Sequence, residues 1–171
     1  MKFHLLLIAL FAFSLFSCQS GQPGQISIEV AKKGPFPEKE FAKVVAYDYE
    51  SMQGDYILNR KGELHPSVKA EKELSSEQAA LLVETLNSES TYGGSVTRCF
   101  YPRLGFVFYN AANEPIGQVS VCFQCNQQVA GPEISVQEEL LMAGKPAGYS
   151  TLGREKMAEF CQSFGFSNCA E

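Results

Sequence analysis

The stretch Gly105–Phe123 (GFVFYNAANEPIGQVSVCF) decides the fold of this chain. Its first part, Gly105–Tyr109, and its last part, Ile116–Phe123, are rich in the aromatic and β-branched residues that favour strands. Between them, Asn110–Pro115 carries two Asn and one Pro, which are typical of turns. Two such runs joined by a short turn predict a β-hairpin. Because both runs carry apolar residues on each face, we expect two central, buried strands.

Two further strands and a helix are predicted upstream of the hairpin. Val44–Tyr49 has strand character, and Ser67–Leu74 can form a second strand. Ser75 and Gln78 have the spacing of a helical capping box, which predicts a helix over about residues 76–87. The apolar residues of this helix follow at i, i+3, i+4 and i+7, as one buried stripe requires: Ala79, Leu82, Val83 and Leu86.

A second amphipathic helix is predicted near the C-terminus, over about residues 152–164. Thr151 can cap its start, and Gly165 is well placed to end it. Its apolar positions have the same spacing: Met157, Phe160, Cys161 and Phe164. The chain therefore predicts an α+β domain, with an antiparallel sheet that contains a central hairpin (about 105–123) and is packed by two helices (about 76–87 and 152–164).

The N-terminus has the layout of a secretory signal peptide. Lys2 supplies a positive charge, Phe3–Phe16 is apolar except for His4 and Ser14, and polar residues begin abruptly at Gln19. This apolar run has 14 residues, fewer than the roughly 20 that a membrane-spanning helix needs. A cleaved export signal is therefore favoured over a transmembrane anchor.

The end of that segment, Leu15–Cys18 (LFSC), resembles the lipobox of bacterial lipoproteins. The resemblance implies a signal peptide of residues 1–17, cleavage before Cys18, and a diacylglyceryl group on the Cys18 thiol. Two or three acyl chains hold a protein stably at a membrane. In enterobacteria, aspartate after the lipidated cysteine retains a lipoprotein in the inner membrane. Gln19 therefore implies an outer-membrane lipoprotein, and the lack of an acidic run after Cys18 favours the periplasmic face.

Composition divides the exported part into a spacer and one domain. Residues 18–40 are rich in Gly, Pro and Gln, which predicts a lipidated N-terminus and flexible spacer. Residues 41–171 suffice for a single domain with its own core. After cleavage, 13 basic residues stand against 19 acidic ones, since Lys2 is the only charged residue of the signal peptide. The net charge of −6 predicts no nucleic-acid partner.

Five cysteines follow Cys18, and they are the residues whose spacing suggests chemistry: Cys99, Cys122, Cys125, Cys161 and Cys169. An exported protein meets an oxidising compartment, where disulfides persist. Since five is odd, at least one thiol remains free, pairs with another chain, or binds something. If Tyr109 faces Ile116, paired residue numbers in the hairpin sum to 225 or, one residue shifted, to 224, which brings Cys99 close to Cys125.

Three interpretations of Cys99, Cys122 and Cys125 stay open. In the first, a Cys99–Cys125 or Cys99–Cys122 disulfide closes the open end of the hairpin. In the second, the three thiolates bind zinc, with Cys161, Cys169 or His65 as fourth ligand. In the third, Cys122 and Cys125 form a thiol–disulfide exchange pair. Cys161 and Cys169 can form a disulfide of their own, because the chain reverses at Gly165.

No other motif indicates a reaction. The chain lacks a nucleophile elbow, a Walker loop, a dinucleotide fingerprint and a His-Glu-x-x-His pair. After cleavage His65 is the only histidine, in a predicted surface turn beside Pro66. The carboxylates near the middle of the domain are interpreted as a solvated segment: Glu133, Glu138 and Glu139.

The middle of the chain resembles a group of bacterial proteins, many of them exported proteins of the Bacteroidetes. The resemblance rests on Cys99–Pro102 (Cys-x-x-Pro), the Phe-Tyr strand ending at Tyr109, and Cys122–Cys125 (Cys-Phe-x-Cys). It extends over about residues 74–166. Many members carry histidine after the proline, where this chain has Arg103. The resemblance implies a shared domain and no particular activity.

Together these patterns predict an exported, lipid-anchored protein of the cell envelope with a non-enzymatic binding or interaction domain stabilised by disulfides. The expected partners are the membrane, through Cys18, and a protein or small molecule that the sequence does not identify. No cofactor is expected in this interpretation. The alternative is a thiol–disulfide redox or zinc-binding protein that uses Cys99, Cys122 and Cys125.

The lipid anchor can be tested in cells that make the full chain. We expect radioactive palmitate to label the wild-type protein and Cys18→Ser not to be labelled, because the thioether to the lipid needs the Cys18 thiol. Cys161→Ser is the matched control and should keep the label. Label retained by Cys18→Ser would refute the anchor.

Overall fold

The computed structural model describes residues 33–169. Within them the strands are β1 (Lys43–Asp48), β2 (Ala70–Glu73), β3 (Tyr92–Gly94), β4 (Leu104–Tyr109), β5 (Pro115–Cys122), β6 (Gln127–Gly131) and β7 (Gly148–Tyr149). The helices are α1 (Ser76–Asn87), α2 (Ser135–Met142) and α3 (Thr151–Ser163). The fold is α+β, as the sequence predicts. The predicted signal peptide, Cys18 and residues 19–32 of the predicted spacer lie outside the described residues.

Five antiparallel strands form the main sheet in the order β2-β1-β4-β5-β6, while β3 and β7 form a separate pair. The predicted hairpin is β4–β5, and it lies inside the sheet. Its paired residue numbers sum to 225 from Leu104↔Val121 to Phe108↔Gly117, and an irregularity then pairs Tyr109 with Pro115. Because this ladder ends at Leu104, Cys99 lies outside the sheet.

One face of the sheet packs against the helices. Its central positions, Ala46, Phe106 and Val119, are completely buried. The helices contribute equally buried side chains to this core, including Leu82 and Met157. The predicted capping box of α1 is present: Ser75 Oγ accepts from the Gln78 N–H (3.2 Å), and Gln78 Oε1 accepts from the Ser75 N–H (2.9 Å).

The opposite face is covered by the long segment between β1 and β2, residues 49–69. Ile57 of this segment is completely buried, and its N–H donates to Ser120 Oγ on β5 (2.9 Å). A Cβ at Gly105 would lie 2.6 Å from Ile57 Cγ1, so glycine is needed for this close approach. A second apolar cluster forms beneath the segment: Val45, Tyr47, Tyr49, Ile57, Leu58 and Val107.

The structure adds elements that the sequence analysis does not predict: β6, α2 and the β3–β7 pair. β6 (QQVAG) is too polar to be recognised as a strand, and α2 has only eight residues, too few for a clear helical period. The predicted N-cap Thr151 is wrong by one residue. Ser150 caps α3, and its Oγ accepts from the Gly153 N–H at 3.0 Å. Gly165 follows the helix with a φ of 75°, as expected for its end.

Phe36 lies in the stretch for which the sequence predicts a spacer, yet it is 1% exposed. Its ring meets that of Phe108 edge-on at 5.1 Å. The Asn87 side chain accepts from the Phe36 N–H and donates to its carbonyl, both at 2.8 Å. The folded region therefore begins upstream of the predicted start at residue 41. Among the described residues, no helix is long and apolar enough to span a membrane.

Phe36→Ala tests whether this segment belongs to the core. We expect a loss of about 3–5 kcal/mol in the free energy of unfolding, the usual cost of removing a buried phenylalanine. Urea denaturation under oxidising conditions measures it. The exposed neighbour Lys39 provides the control, since Lys39→Ala should leave the midpoint almost unchanged. Equal midpoints for both variants would contradict the packing of Phe36.

Candidate functional site

Two disulfides hold the irregular chain at one end of the sheet. Cys99 is bonded to Cys125, with 5.6 Å between their Cα atoms, and Cys161 is bonded to Cys169, with 5.3 Å. Both separations lie in the usual range for disulfides. Of the two partners that the sequence leaves open for Cys99, the structure has Cys125. The segment before Cys99 stays beside its partner through a hydrogen bond from the Thr97 N–H to the Cys125 carbonyl (3.1 Å).

Cys122 is the free cysteine of the described region, and it is completely buried. Its Sγ accepts a hydrogen bond from the Tyr101 N–H at 3.4 Å. Cys125 is also completely buried, and the structure does not join it to Cys122. Exchange pairs need an accessible thiolate, so this burial is typical of structural cysteines.

His65 and the acidic residues have local partners. His65 Nδ1 is hydrogen-bonded to Ser67 Oγ (2.7 Å) in the segment over the outer face. Glu133 and Glu138, which the sequence analysis places in a solvated segment, both bind Lys33 Nζ, at 2.7 and 3.0 Å. Over residues 33–169 there is no group of three or more His, Cys, Asp or Glu side chains that could hold a metal ion.

A cleft of about 220 Å³ lies beside the disulfides, and we call it the disulfide cleft. Its lining residues are Tyr101, Arg103, Phe123, Gln124 and Asn168. All of them are within four residues of a bonded cysteine along the chain: Gln124 directly precedes Cys125, and Asn168 directly precedes Cys169. The two disulfides therefore fix the chain segments that form the walls of this one cleft.

Hydrogen bonds complete the placement of these walls. The Arg103 N–H donates to the Val121 carbonyl, and the Arg103 carbonyl accepts from the Tyr49 N–H, both at 3.1 Å. These bonds continue the sheet by one residue beyond β4. The Arg103 guanidinium reaches the C-terminal segment, where Nη1 donates to Asn168 Oδ1 at 2.9 Å. Buried Asp48 holds the same segment, since its Oδ2 accepts from the N–H (3.3 Å) and Oγ (3.1 Å) of Ser167.

Arg103 gives the disulfide cleft its charge. Its side chain is partly buried, and no carboxylate of the described residues lies within ion-pair distance of it. The pKa of Glu50 is lowered mainly by its hydrogen bond to Lys69 (2.9 Å) and to a lesser degree by the charge of Arg103. The Glu50 side chain is half exposed and screened by solvent, so it compensates the charge of Arg103 only weakly.

A larger cleft of about 440 Å³ runs between β6 and α2. Apolar side chains such as Val129, Ile134 and Leu141 line it, and its acidic rim residues are the ones that bind Lys33. Lys145 on the same rim has no ion pair among the described residues but is exposed, whereas Arg103 of the disulfide cleft is a partly buried cation without an ion pair. This contrast makes the smaller cleft the better candidate site.

No protein-family model, curated protein or solved structure matches the chain. The sequence analysis identified the cysteines but not the lining residues Tyr101, Gln124 and Asn168. No motif marks these residues. The indication that the sequence offers is that each lies within two residues of a cysteine that forms a disulfide.

The pairing predicts distinct effects of the cysteine variants on stability. Cys99→Ser or Cys125→Ser should cost about 3.5 kcal/mol, because the disulfide closes a loop spanning 26 residues. The double variant should cost no more than either single one. Cys122→Ala should cost only about 1 kcal/mol, since it removes one buried sulfur. Thermal unfolding under oxidising conditions provides the measurement.

Thiol titration is the control for these variants. With Cys18 replaced by alanine, the protein in denaturant without reductant should show one reactive thiol per chain, from Cys122. The native protein should show none, because Cys122 is buried. Three or more thiols, especially together with stoichiometric zinc, would contradict the Cys99–Cys125 pairing and favour the metal alternative.

Proposed function

We propose that this protein is exported and tethered to the cell envelope through a lipid on Cys18, and that its disulfide-stabilised domain binds a ligand in the disulfide cleft. In this proposal the anchor lies in the outer membrane and the domain faces the periplasm. This location is supported by the signal-peptide layout of residues 1–17 and by the lipobox-like stretch Leu15–Cys18. Two disulfides within one domain support an oxidising compartment.

The observation that supports a binding role is that both disulfides hold the walls of a single cleft. Sites built on loops lose affinity when the loops must be ordered at the moment of binding. Here the Cys99–Cys125 and Cys161–Cys169 disulfides order the chain segments of the cleft before any ligand binds. Such preorganisation is what an accurate loop-built site requires.

The chemistry of the lining also suits the holding of a ligand. Tyr101 provides exposed ring surface beside the buried Phe123, while Arg103, Gln124 and Asn168 provide hydrogen-bonding groups. Binding sites typically combine apolar and aromatic surface with a few placed polar groups of this kind. At about 220 Å³ the cleft suits a small molecule or one residue of a larger partner.

A thermal-shift panel tests this proposal on the full chain in detergent. The panel contains small anionic, neutral and cationic compounds and short peptides. Gln124→Trp fills the cleft from an exposed rim position, and Gln162→Trp places the same side chain on the exposed surface of α3. We expect at least one compound to stabilise the wild-type protein and Gln162→Trp, but not Gln124→Trp.

The expected size of this effect follows from mass action. A ligand present at about 100 times its dissociation constant stabilises the folded state by about 2.7 kcal/mol, a shift of several degrees in Tm. A panel in which no compound depends on residue 124 would refute the disulfide cleft as the binding site.

A further inference from the structure

We infer that the disulfide cleft recognises a carboxylate group, which the guanidinium of Arg103 binds. This inference rests on the proposed function, and it names the chemistry of the ligand. It is carried by the state of Arg103 itself, a partly buried cation with no carboxylate of the described residues within ion-pair distance.

Burial of a charge is unfavourable unless the charge is paired. The one hydrogen bond of the Arg103 guanidinium within residues 33–169 is that from Nη1 to Asn168 Oδ1 at 2.9 Å. A guanidinium has five N–H donors, so most of those on Arg103 remain available. An incoming anion would satisfy these donors and compensate the charge together.

Hydrogen bonds restrain both the backbone and the side chain of Arg103. The backbone of Arg103 is fixed by hydrogen bonds on both sides, to Val121 and to Tyr49. Its Nη1 is held by Asn168, whose position depends on the Cys161–Cys169 disulfide and whose Nδ2 donates to Ser167 Oγ (3.0 Å). The guanidinium is thus held in place, as selective anion binding requires.

The remaining lining favours a carboxylate that carries an apolar group. The planar fork of an arginine matches the two oxygens of a carboxylate, and it can form two parallel hydrogen bonds. Gln124 lies exposed at the rim with no hydrogen-bond partner among the described residues, so its amide N–H can donate to the same group. The exposed ring of Tyr101 can contact the apolar remainder of the ligand.

A carboxylate of this kind could belong to a small organic acid or to the C-terminus of a peptide. The test therefore uses N-acetylphenylalanine, its uncharged amide, and acetyl-Gly-Gly-Phe with a free C-terminus. Ligand-detected NMR titration measures their affinity for the full chain in detergent. Tighter binding of the peptide than of N-acetylphenylalanine assigns the site to peptide ends, and equal binding assigns it to small acids.

We expect the amide to bind about tenfold or more weakly than the acid, as the loss of a charge-assisted hydrogen bond implies. Arg103→Gln should weaken acid binding by a similar factor, and Arg103→Lys by less, because it keeps the charge without the fork. Arg98→Gln removes the same charge from an exposed residue outside the cleft and should bind like the wild type. Gln124→Ala should weaken binding severalfold while leaving Arg103 and its contacts in place.

The inference is overturned if acid and amide bind equally, if neither binds, or if Gln124→Ala and a folded Arg103→Gln keep wild-type affinity. Its failure can be told apart from that of the proposed function. If neutral or cationic compounds stabilise the wild-type protein but not Gln124→Trp in the thermal-shift panel, the binding role of the cleft is supported. Only the preference for a carboxylate is then rejected.

Discussion

The structure depends on the burial of β4 on both of its faces. Leu104, Phe106 and Phe108 face the helical layer, Val107 faces the segment over residues 49–69, and all four are completely buried. The strand is also paired on both edges, with β1 and with β5. A strand in this position loses the most apolar contact if either layer is removed, so it couples the two layers into one cooperative unit.

That coupling explains why a long, irregular segment can cover a sheet face. Residues 49–69 contain only an isolated bridge between Leu58 and Leu64, yet Tyr49 and Ile57 within them are completely buried. The backbone polar groups of such a segment must find partners. Side chains of β5 supply two of them, since the N–H groups of Ile57 and Leu58 donate to Ser120 and Gln118.

The disulfides stabilise a different part of the domain, the end of the sheet where the strands stop. Cys99, Cys125 and Cys169 lie outside helices and strands: Cys99 in the irregular chain before β4, Cys125 in the turn between β5 and β6, and Cys169 after α3. The Cys99–Cys125 disulfide joins the first two segments, and the Cys161–Cys169 disulfide ties the third back to α3. The disulfide cleft is formed where these segments meet. Cys122 lies within β5 and packs as a small buried side chain without a disulfide, and its Sγ accepts from the Tyr101 N–H.

The sequence by itself determined the features that depend on neighbours along the chain. The capping box of Ser75 and Gln78, the apolar stripe of α1 and the β4–β5 hairpin all follow from spacings of a few residues, which local propensity and periodicity control. The odd number of cysteines after Cys18 likewise required at least one without an intramolecular disulfide partner. Where local signals were weak, as in polar β6 and in Phe36 among prolines and glycines, the prediction failed.

Only the tertiary structure decided which distant residues meet. Phe36 is buried against Phe108 on β4, and Asn87, 51 residues away, binds its backbone. The sequence left Cys122 and Cys125 open as partners of Cys99, and the path of the irregular chain before Leu104, where the β4–β5 ladder has ended, brings Cys99 to Cys125. Arg103 and Asn168 are 65 residues apart and belong to no common motif. Their meeting depends on the packing of α3 against the sheet and on the disulfide that turns the chain back after it, and such long-range placement leaves no period in the sequence.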